Sequence, residues 1–271
     1  MSKAHWQSGT GPFRADQVRS GDPYEVSQGH PVVCAPTGQD GAGPNGLGFA
    51  VLDSDPAVKR AGVDAGIELA PHTLRAPDIA VDFTPSEGTW ATHALLVVEY
   101  AGKGQDEGDL QDKIREFHAA GTRFVWVVRL VGARRVEVHE AGAPMRAVLP
   151  GQTLTAPGIL QNAVPVEALF DRDVAHEATL ANLLQRKGYR DLDAVRVEGI
   201  EKGIEKGVEK GIAEGTLTSR RAVLLMLLES ANITVSDGDR EAIAHCVDLA
   251  QLDEWLRRTR GATTRDEVFG R

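Results

Sequence analysis

The chain has 271 residues, of which 42% are hydrophobic and 25% charged, and a formal net charge of −9. That length can fill a core without metal or disulfide support. The acidic balance excludes binding of phosphate backbones by bulk attraction, so a nucleic-acid site must be a local basic patch or depend on divalent cations.

The start, MSKAHWQSGTGPF, has no apolar segment of the signal-peptide kind. No run approaches the ~18 apolar residues that cross a bilayer, so no membrane partner is expected. The two cysteines, Cys34 and Cys246, stand far apart. They offer neither a disulfide framework nor metal-ligand spacing, which fits a cytoplasmic location. After a polar opening, short β-like segments follow from Pro31: PVVCAP, LGFAVLD, AGIELAP, APDIAVDF and HALLVVEYA. Between the first two, GAGPNG at Gly41 to Gly46 matches a dinucleotide fingerprint letter for letter. Pro44 interrupts it and a strand-like segment follows, so it reads as a plain loop.

A helix is expected from about Asp106, because Leu110, Ile114 and Phe117 fall at i, i+4 and i+7. Gly121 is placed to end it. RFVWVVRL reads as a strand buried on both faces, and RRVEVHEA as one that alternates. A further strand is expected near Met145 to Leu149, and VPVEALF reads as the closing one. Strands, a helix and strands again predict an α/β (α+β) fold, a mixed sheet flanked by helices.

After about Asp171 the pattern turns helical. HEATLANLLQRKGYRDLDAV leads into GIEKGIEKGVEKGIAEG, a tetrapeptide repeat from Gly199 to Gly215. On a helix a period of four drifts by about 40° per repeat. Lys202 with Glu205 and Lys206 with Glu209 are i, i+3 pairs. Each glycine costs roughly 0.8–1 kcal/mol of helix propensity, so packing against another helix or chain is expected, with a semi-flexible charged linker as the alternative. SRRAVLLMLLESA, with Ser219 as its cap, DREAIAHCVDLA and AQLDEWLRRT complete the chain as amphipathic helices, with VSDGD as a turn. The expected division is a body over residues 1–172, a helix and repeat over 173–216, and a helical region over 217–271. This all-helical extension predicts a homo-oligomer formed through residues 200–271.

The carboxylates carry the chemistry. APDIAVDF places Asp78 directly after a proline, at a strand start. Glu99 lies near the end of the most apolar strand, where a charge is unfavourable unless it is paired or holds a cation. Lys113 follows one loop later. On pattern alone these could form a structural ion pair or a site.

PDIAVDF, LLVVEYAGKGQDEGDLQDKIREFHAAGTRFVWVVRL and RRVEVH, in that order, resemble the Uma-two family of restriction endonucleases, within the PD-(D/E)xK nuclease superfamily. The matching elements are Pro77-Asp78, Glu99, Asp109, Lys113, Ala120-Gly121 and Trp126, with Tyr24-Glu25 upstream and VPVEALF downstream. The likeness spans about Gly21 to Phe170. It departs from the superfamily at Ala101, where a lysine normally follows the acidic residue.

The resemblance implies a metal-dependent nuclease acting on DNA. Asp78 and Glu99, with the carbonyl of Tyr100, would hold Mg²⁺ or Mn²⁺. Lys113 would replace the missing strand lysine, Glu25 on an N-terminal helix would be an extra ligand or base, and Asp109 would cap the helix or orient Lys113. The alternative is a catalytically degenerate scaffold that works as an oligomerising interaction protein.

Overall fold

The computed structural model describes residues 11–34 and 38–270. The described residues up to Leu192 form one compact unit and those from Asp193 a second. The chain start, with its expected lack of a signal segment, lies largely outside the described residues.

The first unit runs through β1 (Tyr24–Ser27), β2 (His30–Val33), α1 (Gln39–Ser54), β3 (Ala61–Val63), β4 (Ile67–Ala70), β5 (Thr73–Arg75), β6 (Ile79–Thr84) and β7 (His93–Ala101). It continues with α2 (Glu107–Ala119), β8 (Phe124–Arg129), β9 (Arg135–Glu140), β10 (Arg146–Val148), β11 (Thr153–Leu154), β12 (Val164–Pro165) and α3 (Arg172–Arg186). The main sheet has the order β10-β9-β8-β7-β6-β3. Within it only β7 and β8 run parallel, because α2 returns the chain to the same end of the sheet. A smaller sheet has the order β2-β1-β5-β4. This is the mixed-sheet α+β body that the segment order predicts.

The two-residue period of β7 divides its side chains between two layers. Leu96, Val98 and Tyr100 join Val51 and Leu52 of α1 and Trp126 of β8 in one core cluster. Val97 and Ala101 join Leu110, Ile114 and Phe117 of α2 in another. Each valine, leucine, isoleucine or phenylalanine among them contributes about 1.5–3 kcal/mol when fully buried. Asp106 caps α2 by accepting the Asp109 N–H at 3.0 Å. Gly121 turns the chain after it with φ of 94°, a conformation that favours glycine.

The sequence reading fails at several places in this unit and the next. LGFAVLD is not a strand, and GAGPNG is not a loop: both lie in α1. Asn45, Gly48, Val51, Leu52 and Ser54 are buried along one side of that helix. Packing on the sheet overrides poor local propensity. VPVEALF gives only the two residues of β12 before a 3₁₀ turn over Val166–Leu169. Glu25 lies on β1, paired with β2 and β5, and not on a helix. Ser219 caps nothing, because it lies inside one continuous helix.

That helix is α4 (Leu192–Ser230), 39 residues long. It is followed by α5 (Asp237–His245), α6 (Leu249–Arg258) and α7 (Arg265–Phe269). VSDGD is a turn only in part, since Ser236 caps α5 and accepts the Asp239 N–H at 3.2 Å. Leu224 and Leu228 of α4 pack with Ile233, Ile243, Leu252 and Val268. Trp255 meets Phe269 edge-on at 5.2 Å. The carboxylate of Asp239 takes two hydrogen bonds from Arg265, of 2.5 and 2.6 Å, which tie α5 to α7. Lys202 pairs with Glu198, and Lys210 lies 3.7 Å from Glu214. No helix among the described residues is long and apolar enough to cross a membrane.

Candidate active site

The register of β6 on β7 pairs Ile79 with Val98. One step outward the same register sets Asp78 beside Glu99 at the sheet end, where both line one cleft and Asp78 acts electrostatically on Glu99. Glu99 lies between Val97 and Ala101 on the face that α2 covers, and α2 carries Lys113. Lys113 Nζ is 2.9 Å from Glu99 Oε1 and 3.1 Å from Glu25 Oε1. It also donates to the Ala76 carbonyl at 2.9 Å. Ala101, at the usual lysine position, is buried in the apolar cluster beneath α2, and the cation reaches Glu99 from the helix instead.

Asp78 accepts the Tyr100 N–H at 2.6 Å, and Asn45 Nδ2 of α1 lies 3.5 Å from its other oxygen. Tyr100 itself is anchored by its hydroxyl, which donates to the Leu169 carbonyl at 3.0 Å. A Cβ on Gly48 would collide with that hydroxyl, so glycine there lets α1 approach β7.

Sequence reasoning missed the support beneath these groups. Arg75 is completely buried. It donates to Glu25 Oε2 at 2.9 Å and to Glu116 Oε2 at 2.5 Å, and Ser27 Oγ donates to Glu116 Oε1 at 2.6 Å. Asp109 lies 3.9 Å from Arg75 and does not cap α2. Arg75 stands three residues before Asp78, and a lone arginine in the strand segment TLR was the available signal.

The electrostatics follow from burial and crowding. Burial pushes the Glu99 carboxyl up to about 8, against the pull of Lys113, and Asp78 and Glu25 push it the same way. Burial also raises Asp78, although the Tyr100 N–H and Lys113 oppose it. At Glu25 burial acts upward, but Lys113, Arg75 and the Ala76 N–H outweigh it and hold the carboxyl below its usual value. Burial disfavours the Lys113 cation, yet Glu25, Glu99 and Asp78 together raise it well above the ordinary lysine value. Lys113 is therefore a fixed positive charge, and the Glu99 carboxyl is pushed toward its protonated form.

All four groups line one open cleft of about 1170 Å³, together with Tyr24, Asp64, Lys103, Asp109 and Arg134. Two carboxylates at paired strand ends, with a buried lysine from the crossover helix, define a mixed-sheet protein with an acid–lysine cleft. The chain belongs to the Uma2 family, described as "putative restriction endonuclease", whose model matches residues 13–167. Among solved structures it is similar to a protein from Anabaena variabilis described as a putative nuclease belonging to DUF820. The two are 14% identical with a TM-score of 0.51, over 60% of this chain and 99% of that one, a likeness of fold. None of the curated proteins matches this chain.

Proposed function

We propose that the protein is a Mg²⁺- or Mn²⁺-dependent endonuclease that hydrolyses phosphodiester bonds of DNA in the cytoplasm. It would work as a homo-oligomer held through residues 200–271. The observation that carries the reading is the meeting of Asp78, Glu99 and Lys113 in one solvent-open cleft. Membership of a family described as "putative restriction endonuclease" supports it.

The residues fit a hard divalent cation. Glu99 Oε1 is buried without a well-directed hydrogen bond. Burial with neighbouring carboxylates raises both carboxyls, Asp64 and Glu25 acting on Asp78, and Asp78 and Glu25 acting on Glu99. A cation would relieve that strain. Among the described residues no group of three His, Cys, Asp or Glu side chains could hold a metal. The ion would therefore rest on Asp78, Glu99, the Tyr100 carbonyl and water, a donor set suited to Mg²⁺. When bound it would supply an activated water and charge stabilisation at the scissile phosphate.

The chain's own residues do the rest. The Tyr100 N–H fixes the direction of the Asp78 carboxylate. Glu25, locked by Arg75, holds Lys113 in place. Because Lys113 stays protonated, it would stabilise negative charge at the phosphate and would not take up a proton. Lys103 and Arg134 line the cleft and would meet the flanking phosphates. Because Asp22, Asp40, Asp64, Asp106 and Asp109 also line it, divalent cations would have to offset the acidic field for a phosphate backbone to approach.

The test is a panel of duplex DNA, single-stranded DNA and RNA incubated with Mg²⁺, Mn²⁺ or chelator. Metal-dependent cutting of DNA is expected in wild type and absent in Lys113→Met. If no substrate is cut in any metal, the scaffold reading replaces this one: the three contacts of Lys113 would then be purely structural.

A further inference from the structure

Within α4 the repeat sorts its residue types into four rows, each running at intervals of four. One row is Gly199, Gly203, Gly207, Gly211 and Gly215, and the next is Ile200, Ile204, Val208 and Ile212. The other two are Glu201, Glu205 and Glu209, then Lys202, Lys206 and Lys210. The aliphatic row is between 54% and 65% exposed, and none of its members joins the hydrophobic cluster of the helical unit. A Cβ built on any of the five glycines meets nothing within 4 Å. Glycine is the least favourable helix residue after proline, and none of the described residues crowds these positions so as to require it.

We propose that the repeat is a parallel, two-fold homodimer interface in which each chain's aliphatic ridge seats in the other's glycine groove. This deepens the self-association suggested above for residues 200–271. Successive residues on a helix are separated by about 100°. Going round the axis, the order is glycine, aliphatic, glutamate, lysine, with lysine returning to glycine. The apolar sector is thus bounded by lysines on its glycine side and by glutamates on its aliphatic side.

A two-fold axis parallel to the helices swaps the two sides of the facing sector. It brings glycine against aliphatic residue and lysine against glutamate. A two-fold axis across the helices preserves the sides. It would set ridge against ridge, lysine against lysine and glutamate against glutamate. Shape and charge therefore select the same orientation.

The rows also set the crossing. Rows at i±4 incline by about −26° to the axis, and two such sets interdigitate at about −50°. A period longer than 3.6 winds right-handed, unlike a heptad seam. Contact is therefore concentrated near Gly207 and does not run the length of the helix. In a parallel pair the chain segments that precede Gly199 leave the interface at the same end.

The experiment uses the full chain and needs no catalytic activity, so its failure is separate from failure of the nuclease reading. Sedimentation equilibrium should give a dimer whose affinity falls in high salt. Gly203→Ala/Gly207→Ala/Gly211→Ala adds methyls to open space in the monomer, so circular dichroism should show equal or greater helicity. Each methyl should weaken association about tenfold or more. Orientation is read from spin labels on Arg196→Cys in a C34S/C246S background. Helix-axis separation there is about 17 Å for the parallel pair and about 31 Å for the antiparallel one. A monomer throughout, a dimer indifferent to the alanines, or the longer separation would each overturn the proposal.

Discussion

Replacing Glu99 with glutamine should make this protein more stable near neutral pH. The Glu99 carboxyl is pushed from 4.5 up to about 8, by burial first and by Asp78 and Glu25 in addition. Between those values the folded chain holds a proton that the unfolded chain has released. Stability therefore falls as pH rises through that window. At about 1.4 kcal/mol per pH unit, the penalty reaches roughly 3 kcal/mol at about pH 7. Glutamine removes the titration and keeps an oxygen for Lys113 Nζ, now 2.9 Å away. The pull of Lys113 is already contained in that value, and the poorer fit of the amide NH₂ offsets part of the gain, so a net stabilisation of about 1–3 kcal/mol is expected. Urea denaturation of wild type and Glu99→Gln from about pH 4.5 to about pH 8.5 reads it out. The two stabilities should converge at the acid end and diverge with rising pH. A variant less stable than wild type by the same amount at every pH would refute the reasoning and make Glu99 a structural ion-pair partner.

Other positions give further expectations. Asp55 is 1% exposed and accepts the N–H groups of Ala57, Gln161 and Asn162. Asp55→Ala should lower stability by about 2–4 kcal/mol in chemical denaturation, because it orphans several backbone donors at once. Tyr100→Phe loses only the bond to the Leu169 carbonyl, and a loss of about 1 kcal/mol is expected in the same measurement. Arg265 holds the Asp239 carboxyl well below the usual carboxylate range. The resulting stability is present above the unfolded value of 3.8 and is lost as pH falls below it. Thermal melts should show the helical unit unfolding at lower temperature in strong acid, and Asp239→Asn should flatten that dependence.

How far the sequence revealed the protein depends on where the relevant forces act. The run from β7 to β8 was legible because its signals are local: the continuous apolar run in HALLVVEYA, the spacing of Leu110, Ile114 and Phe117, and Gly121 as the stop. Lys113 could be placed near Glu99 from that run alone. Helix α1 was hidden because its glycines and Pro44 argue against helix, and the packing that overrides them comes from the distant Tyr100 and Leu169 region. The Arg75–Glu25–Glu116 network joins residues far apart in sequence, so no spacing rule could find it. Glu25 was singled out only through family likeness, and its strand setting became visible once β1 was seen beside β5.

The central claim is that Asp78 and Glu99 form a divalent-metal site, and calorimetric titration of Mn²⁺ into the metal-free protein tests it most directly. Wild type should bind at a saturable site. Because burial raises the Glu99 carboxyl to about 8, binding near neutrality should release a proton, seen as a heat that changes with the ionisation enthalpy of the buffer. Asp78→Asn should abolish the site while the fold persists by circular dichroism. Binding unchanged in Asp78→Asn, or no binding in wild type, would contradict the account.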